Sequence, residues 1–391
     1  MNREVNLRLL FSVLLLYALA VGILTVVIPL YSYNLGADRV TVGFIFSAYA
    51  LAYVAASPVW GKVSDRLGRK LALSIGMLGY SVVIALFTFV SNPESLVVIA
   101  LLQGFSGASF WIVPTALIAD LYASQEMGGA LGKVALFQGI GFIVGSFLGG
   151  FLIEQLTYLN VFYICSAFAF STALLILLGL QEKSKTSTEE ITDSSRIGPG
   201  FGVIAKKGLL IPCIDTAFAA LFLGVVESQF IVHAGEILMK GYLVGALLTS
   251  YYIAETFVQY PAGRFSDMIG RHLMILLAFI MSALGFLVLV FPPSFASLLF
   301  AAIAVGGGVG ILYVAATALL MDGVSSSQRG LIAGFQNIAW GVGFFLGPML
   351  GGIATIHSVS TPYVLCVVAS AIGCALSLIA HKETDSTSLP R

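Results

Sequence analysis

Charged side chains are scarce in this sequence: Asp, Glu, Lys and Arg make up 10% of its 391 residues, whereas hydrophobic residues make up 59%. A soluble globular domain carries about 25% charged residues. The composition therefore excludes that class and predicts a helical protein that crosses a membrane many times. Basic and acidic residues balance at 19 each, so no cationic excess predicts a nucleic-acid partner.

Cysteine and histidine are equally sparse, with four of each. The cysteines all lie in apolar runs, where a thiol behaves as a small hydrophobic group; they are Cys165, Cys213, Cys366 and Cys374. Neither residue type has the spacing of a metal site or of a nucleophile with its base. We therefore expect no metal, no cofactor and no enzymatic activity.

Long apolar runs dominate what remains. A helix needs roughly 20 apolar residues to cross a bilayer, and twelve runs qualify. The first six are 9–31, 40–60, 71–90, 96–119, 134–153 and 159–180, and the later six are 209–232, 242–262, 273–291, 297–321, 331–354 and 361–380. The run at 9–31 is too long for a signal peptide and lacks a small-residue cleavage site, so we expect it to be retained as the first span.

The one long polar stretch, residues 181–207, is rich in Ser, Thr, Glu and Lys and predicts a flexible cytoplasmic linker. The predicted fold is an all-α polytopic membrane protein with twelve transmembrane helices. It divides into a six-helix bundle at 1–180, the linker, and a pseudo-symmetric six-helix bundle at 208–391.

The basic residues predict the orientation. With both termini cytoplasmic, only Arg39 and Lys240 of the 19 Lys and Arg residues fall in outer loops, as the positive-inside rule requires. Short outer loops suit the plasma (inner) membrane of a prokaryote, which the chain would cross as a multi-pass monomer.

The chain repeats itself at an offset of 202 residues. At that offset Gly61, Ser64, Asp65, Gly68, Arg69 and Leu71 align with Gly263, Ser266, Asp267, Gly270, Arg271 and Leu273. An apolar chain produces chance matches between glycines, but not an Asp and an Arg in register without a gap. Two homologous halves form a parallel repeat, in which the substrate binds near the midplane between them.

The basic stretch GKVSDRLGRK, residues 61–70, resembles the loop between spans 2 and 3 of the major facilitator superfamily of secondary transporters. The resemblance implies two bundles that rock around a central cavity, and a charge network that latches the cytoplasmic gate. Its predicted residues are Gly61, Asp65, Arg66, Gly68, Arg69, Lys70 and Asp120, with Gly263, Asp267, Arg271 and Asp322 in the second half. The alternatives are a basic loop that only sets topology, and solvated loop charges of little energetic value.

The fifth and eleventh spans resemble a glycine signature of the superfamily's antiporters. Glycines on one stripe let two helices approach at backbone distance and rock, although ordinary small-residue packing is the alternative. After Gly132 and Gly334, the stripe comprises Gly141, Gly145, Gly149 and Gly150, then Gly343, Gly347, Pro348, Gly351 and Gly352. Ser146 stands where the signature has proline, and Ala100 where the family has an arginine linked to proton coupling, which puts that route in doubt.

Three acidic residues lie within predicted spans, where ionisable groups are costly and mark functional sites. Glu255 is the deepest and shares a helix face with Tyr251, Tyr252 and Gln259. It is our first candidate for proton coupling, with Asp215 and Glu227 next; a glutamic acid hydrogen-bonded between helices is the alternative. Asp215 and Glu227 are rotated by about 120° on a helix of 3.6 residues per turn, so they cannot both face one cavity.

No Lys or Arg lies deep in a span, which disfavours anionic substrates. The resemblance predicts a cavity lined by spans 1, 2, 4, 5, 7, 8, 10 and 11, and aromatic and amide residues there suit lipophilic or cationic compounds. Its candidates are Tyr17, Tyr49, Tyr53, Gln103, Trp111, Gln138, Tyr251, Tyr252, Tyr313, Asn337 and Trp340. Helix packing is the alternative for each aromatic residue taken singly.

The sequence as a whole predicts a secondary active transporter that works by alternating access. Similarity to the twelve-span drug–proton antiporters implies efflux of small lipophilic, neutral or cationic compounds in exchange for protons. Two alternatives stay open: a uniporter or symporter for a neutral metabolite such as a sugar, and a membrane sensor that no longer transports.

Overall fold

The structure, a computed structural model, describes residues 3–121, 127–180, 208–324 and 328–388. The predicted linker at 181–207 lies outside these residues, as does the side chain of Asp120. All regular structure in the described ranges is helical.

Twelve helices follow one another along the described ranges. The first half contains α1 (Arg3–Asn34), α2 (Arg39–Leu67), α3 (Arg69–Leu86, extended by a 3-10 turn at Phe87–Phe89), α4 (Pro93–Leu121), α5 (Met127–Gln155) and α6 (Tyr158–Gly179). The second half contains α7 (Leu210–Leu238), α8 (Gly241–Ile269), α9 (Arg271–Val288), α10 (Phe295–Asp322), α11 (Arg329–Ala354) and α12 (Thr361–Ser388). Within α7, a π-helical segment, Val226–Phe230, interrupts the α-helix.

Eleven of these helices are long and apolar enough to cross a membrane, counted over the described residues. The exception is α8, which is as long as α2 at 29 residues but lacks a continuous stretch that is apolar enough. It carries Ser250, Tyr251, Tyr252 and Glu255 in its middle. The predicted all-α membrane fold is thereby confirmed, and polarity concentrated in one span points to that span as part of a polar site.

The two halves have the same internal arrangement. In the first, α1 packs on α5, α2 on α4, and α3 on α6; in the second, α7 packs on α11, α8 on α10, and α9 on α12. Each half buries its own apolar core. The halves meet along two helix pairs, α2 with α11 and α5 with α8.

The loops after α2 and α8 have the same geometry, and we call the end of the molecule that carries them the basic end. Gly68 and Gly270 break the helices with φ of +89° and +97°, which side chains rarely tolerate. Arg69 donates to Ser64 Oγ at 2.7 Å, and Arg271 donates to Ser266 Oγ at 3.1 Å. The repeat therefore extends from the sequence to the hydrogen bonds of these loops.

Candidate functional site: a central cavity between the two halves

A cavity of about 860 Å³ lies between the halves. Its wall is built from α1, α2, α4 and α5 of the first half and α7, α8, α10 and α11 of the second. The wall extends towards the basic end through Gly129, Gly132 and Lys133 on α5 and Tyr260 on α8. Lys133 is the only Lys or Arg among the lining residues that the structure describes.

Aromatic rings and amides form much of the wall. Nine of the eleven residues proposed from the sequence line the cavity: Tyr49, Tyr53, Gln103, Trp111, Gln138, Tyr252, Tyr313, Asn337 and Trp340. The rings contact one another across and within the halves. Tyr49 meets Phe344 edge-on with centroids 6.4 Å apart, and Tyr313 meets Trp340 at 5.2 Å.

The other two residues, Tyr17 and Tyr251, lie behind the wall. Tyr17 is fully buried and stacks on Phe110, with ring centroids 3.8 Å apart. Tyr251 is also fully buried, and its backbone is in contact with Gly306 of α10. Consecutive helical residues point about 100° apart, so when Tyr252 faces the cavity, Tyr251 faces the interior of its own half.

Two of the three candidate acids line the cavity. Glu227, in the π-helical segment, accepts a hydrogen bond of 2.6 Å from the Tyr252 hydroxyl. Glu255 is half-buried on α8 and lines the same cavity as Glu227. Asp215 lies elsewhere, fully buried in the second half, and neither of its carboxylate oxygens has a hydrogen-bond partner within the described part of the chain.

Glycines place α5 against two partners at once. A Cβ on Gly145 or Gly149 would meet backbone atoms of α1, in the same half. A Cβ on Gly150 would meet Gly245 Cα and N at 2.8 Å, on α8 of the other half. Gly145 and Gly149 thus contact a helix of the same half, whereas Gly150 contacts a helix of the opposite half.

The stripe on α11 repeats this arrangement. A Cβ on Gly343 or Gly347 would meet the backbone of α7, whereas one on Gly352 would meet Gly43 Cα at 3.2 Å and the Arg39 carbonyl oxygen at 3.0 Å on α2. These contacts are to backbone atoms, which cannot rotate away as side chains can. The helix pairs α5–α8 and α2–α11 therefore approach at backbone distance at one end of the molecule.

Ser146, which replaces the expected proline, forms a contact between the halves. Its hydroxyl lies 2.9 Å from the Thr249 hydroxyl of α8. At the pseudo-symmetric place, Ser47 donates to the Phe345 carbonyl oxygen at 2.8 Å. At this position the chain therefore has a polar contact between the halves where the signature has a proline.

Ionic contacts complete the junction at the end opposite to the basic end, which we call the closed end. Arg39 of α2 pairs with Glu236 of α7, and the Arg39 side chain is 9% exposed. Gln229 donates to the Arg39 carbonyl oxygen at 3.1 Å. Glu154 of α5 accepts a hydrogen bond from the Gly241 backbone amide at the N-terminus of α8, where a helix favours negative charge. The sequence predicted none of these residues as part of the site, because no local pattern shows which helix faces meet across the two halves.

At the basic end, each ion pair found among the described residues joins two residues of the same half. Arg271 donates to Asp322 at 3.0 Å and also pairs with Asp267, while Arg69 pairs with Asp65 at 2.6 Å. The Arg264 guanidinium lies over the Tyr260 ring, 4.8 Å from its centroid. Gly61 and Gly263 lie in the last turns of α2 and α8, Arg66 is exposed in α2, and Lys70 is the second residue of α3. The predicted partner role of Asp120 lies outside the described side chains.

The order of helices, the repeat and the cavity between two six-helix halves are those of one family of carriers. The family model of the Major Facilitator Superfamily matches residues 10–242 and 216–390. The chain belongs to this superfamily. It is therefore a multi-pass membrane transporter, as the sequence predicted.

Two bacterial relatives match over almost their whole length. The chain is 29% identical to multidrug resistance protein 1 of Bacillus subtilis over 386 residues, covering 96% of each chain. It is 24% identical to the quinolone resistance protein NorA of Staphylococcus aureus, covering 97% of each.

Solved structures share the fold. The nucleoside transporter NupG superposes with a TM-score of 0.79 at 16% identity, covering 98% of this chain and 99% of that one. A bacterial homologue of the human lysosomal transporter Spinster, in an inward-facing and unoccupied conformation, gives 0.80 at 16% identity, covering 97% of each.

Proposed function

We propose that this transporter exports small lipophilic, neutral or cationic compounds in exchange for protons, by alternating access of the central cavity. The observation that carries the proposal is the composition of the cavity wall: aromatic rings and amides surround two carboxylates, and Lys133 lies towards the basic end. The names of the two bacterial relatives, which specify multidrug and quinolone resistance, support the same class.

The wall supports lipophilic cations for two reasons. Aromatic faces attract a cation through their quadrupole while they offer apolar contact to its substituents. A carboxylate in a low-dielectric cavity interacts with a cation more strongly than it would in water. An anion would meet Glu227 and Glu255 in the same space, which disfavours phosphates and carboxylic acids as substrates.

The pair Glu227 and Glu255 supports proton exchange. Two carboxylates in one low-dielectric cavity repel each other when both are ionised. The pair therefore favours holding one positive charge, which either a proton or a cationic substrate supplies. Glu255 is the better candidate for the exchanging group, since Tyr252 already donates a hydrogen bond to Glu227.

The positive-inside rule supports the orientation of the cavity in the membrane. We infer that the basic end faces the cytoplasm, together with both termini, because Arg39 and Lys240 alone among the 19 Lys and Arg residues occupy the opposite side of the predicted topology. In this conformation the cavity then extends towards the cytoplasm, the side from which an exporter loads its substrate.

The test is proton movement driven by substrate. Purified protein in liposomes that contain a pH-sensitive dye is given tetraphenylphosphonium, a lipophilic cation. We expect a proton flux in the wild-type protein, a loss of that flux in Glu255→Gln, and a wild-type flux in Glu94→Gln. Glu94 is exposed in the first turn of α4, so it provides the same chemical change outside the cavity.

Ala100 favours a second candidate, a uniporter or symporter for a neutral metabolite. It lines the cavity at the position where the antiporters carry an arginine linked to proton coupling. Counterflow of radiolabelled neutral sugars, without any proton flux across a panel of lipophilic cations, would replace the antiporter proposal with this one.

A further inference from the structure

The π-helical segment of α7 connects the cavity to the closed end. It spans Val226–Phe230, and all five residues are buried. Glu227 lies on the cavity wall and accepts the Tyr252 hydrogen bond. Two positions further on, Gln229 donates to the Arg39 carbonyl oxygen of the opposite half. One short segment therefore touches both the cavity and the junction of the halves.

The Gln229 side chain is buried, but only one of its two polar groups has a hydrogen-bond partner among the described residues. Its side chain is fully buried, and its Oε1 has no hydrogen-bond partner among the described residues. A Cβ on Gly351 of α11 would lie 3.1 Å from Gln229 Cγ, so that glycine leaves room for the Gln229 side chain. A buried amide oxygen without a donor costs free energy, which makes this contact easier to give up than a fully paired one.

A regular α-helix is the alternative backbone arrangement for this segment. A π-helical turn contains one residue more than the α-helical turn it interrupts. Return to a regular α-helix would rotate the following residues by about 100° relative to those before it. Gln229 and Glu236 both meet Arg39 in the present register, and such a rotation would move both away from it together.

We propose that Gln229, through this π-helical segment, couples the state of Glu227 in the cavity to the Arg39–Glu236 ion pair at the closed end. Gln229 is thus a positioning residue of the transport cycle rather than a substrate ligand, since it is outside the residues that line the cavity. The inference rests on the alternating access of the proposed function. It adds the route by which a proton or cation held by the Glu227 and Glu255 pair acts through Glu227 to release the closed end.

The test measures opening of the closed end with two spin labels. Asn34 and His357 are exposed at the closed end in opposite halves; each is replaced by cysteine and labelled in a chain whose four native cysteines are alanine. Pulsed electron resonance in lipid nanodiscs gives the ratio of open to closed molecules. We expect Glu227→Gln to change this ratio about five-fold or more, the low end of typical couplings between sites.

In the Gln229→Met background, the same Glu227→Gln change is expected to alter the ratio less than about two-fold. Methionine preserves length and burial but removes the donor. Ser228→Ala is the matched control: its hydroxyl bonds to the Gly224 carbonyl oxygen at 2.7 Å within the same helix, so the five-fold response should persist. Gln229→Asn, which is too short to keep the bond, replaces the methionine variant if that protein does not fold.

Binding of tetraphenylphosphonium, measured by equilibrium dialysis, separates coupling from substrate recognition. Unchanged binding with a lost response in Gln229→Met supports the proposal. A response that persists in Gln229→Met, or no response to Glu227→Gln in the parent protein, overturns it. Failure of the parent protein to bind the cation would contradict only the proposed substrate class, because the Glu227→Gln comparison needs no substrate.

Discussion

Two glycines at the basic end fix the turns between the paired spans. Gly68 has φ of +89° and ψ of 159°, and Gly270 has φ of +97° and ψ of 146°. This region of backbone space is almost restricted to glycine because a Cβ clashes with the neighbouring peptide groups. The next residue in each turn is an arginine that binds back to its own loop, so the glycine positions the charge as well as the chain.

Gly270→Ala is expected to destabilise the protein by about 1–3 kcal/mol. The strain arises from φ, since no atom of the described residues lies within 4 Å of the position of the added methyl group. Gly61→Ala is the control: it is helical, and its added methyl group likewise has no described atom within 4 Å. Thermal unfolding of both purified variants in detergent measures the difference. Equal melting temperatures for Gly270→Ala and Gly61→Ala would contradict the assignment of strain.

The helices α5 and α11 act as elements shared between the halves. Each helix carries two adjacent glycines that face different halves. Gly149 and Gly351 face a helix of their own half, whereas Gly150 and Gly352 face a helix of the other half. Contacts of this kind depend on close fit rather than on hydrophobic burial, because lipid is as apolar as the protein surface. A close fit is lost when the helices separate, which suits a junction that must open and close.

Gly150→Ala is therefore expected to open the closed end. Its methyl group would lie 2.8 Å from Gly245 backbone atoms, and neither backbone can yield without moving α5 from α8. The spin-label pair at positions 34 and 357 should show more of the open form than in the unmodified protein. Gly132→Ala, on the same helix and with no atom of the described residues within 4 Å of its added methyl group, should leave the distribution unchanged. An unchanged distribution in both variants would show that this contact does not hold the closed end.

The sequence was sufficient to predict the helices and the repeat because both depend on local chemistry. The length and low polarity of a run identify a membrane span, and small residues such as glycine allow the backbones of two helices to come into contact. It was not sufficient for Tyr251 and Arg39. Whether Tyr251 or Tyr252 faces the cavity depends on the rotation of α8, and the partner of Arg39 depends on which face of α2 meets α7. The segment VESQF likewise has no composition that separates a π-helical turn from an α-helical one.

At the scale of the whole molecule, the repeat is symmetric in backbone but not in charge. Glu227 and Glu255 align at the offset of 202 residues with Thr25 and Tyr53. All four line the cavity, so the second half supplies the acids and the first half supplies neutral groups at the same places. The acids of the cavity belong to one half, and the movement of both halves must be linked to them through their junction.

The Arg39–Glu236 pair gives a measure of that junction. Glu236→Gln removes the charge of a partner whose arginine is 9% exposed, and weakening a hydrogen bond to a buried charged group costs roughly 1–3 kcal/mol. We expect the spin-label pair to report a shift towards the open form by that free energy. Glu94→Gln, which removes an exposed charge on α4, should produce no shift.

If the two halves are rigid, the combined effect of two substitutions can be predicted. Glu236→Gln acts at the junction of α2 with α7, and Gly150→Ala acts at the junction of α5 with α8, and the contacts described for the two sites share no residue. If each half moves as one body, both changes shift the same opening equilibrium, and their free energies add to within about 0.5 kcal/mol. The open fraction of the double variant, compared with the two single variants, checks this. A shift much smaller than the sum would mean that α5 and α2 separate from their partners independently, so the closed end would open by local bending instead of by rocking of whole halves.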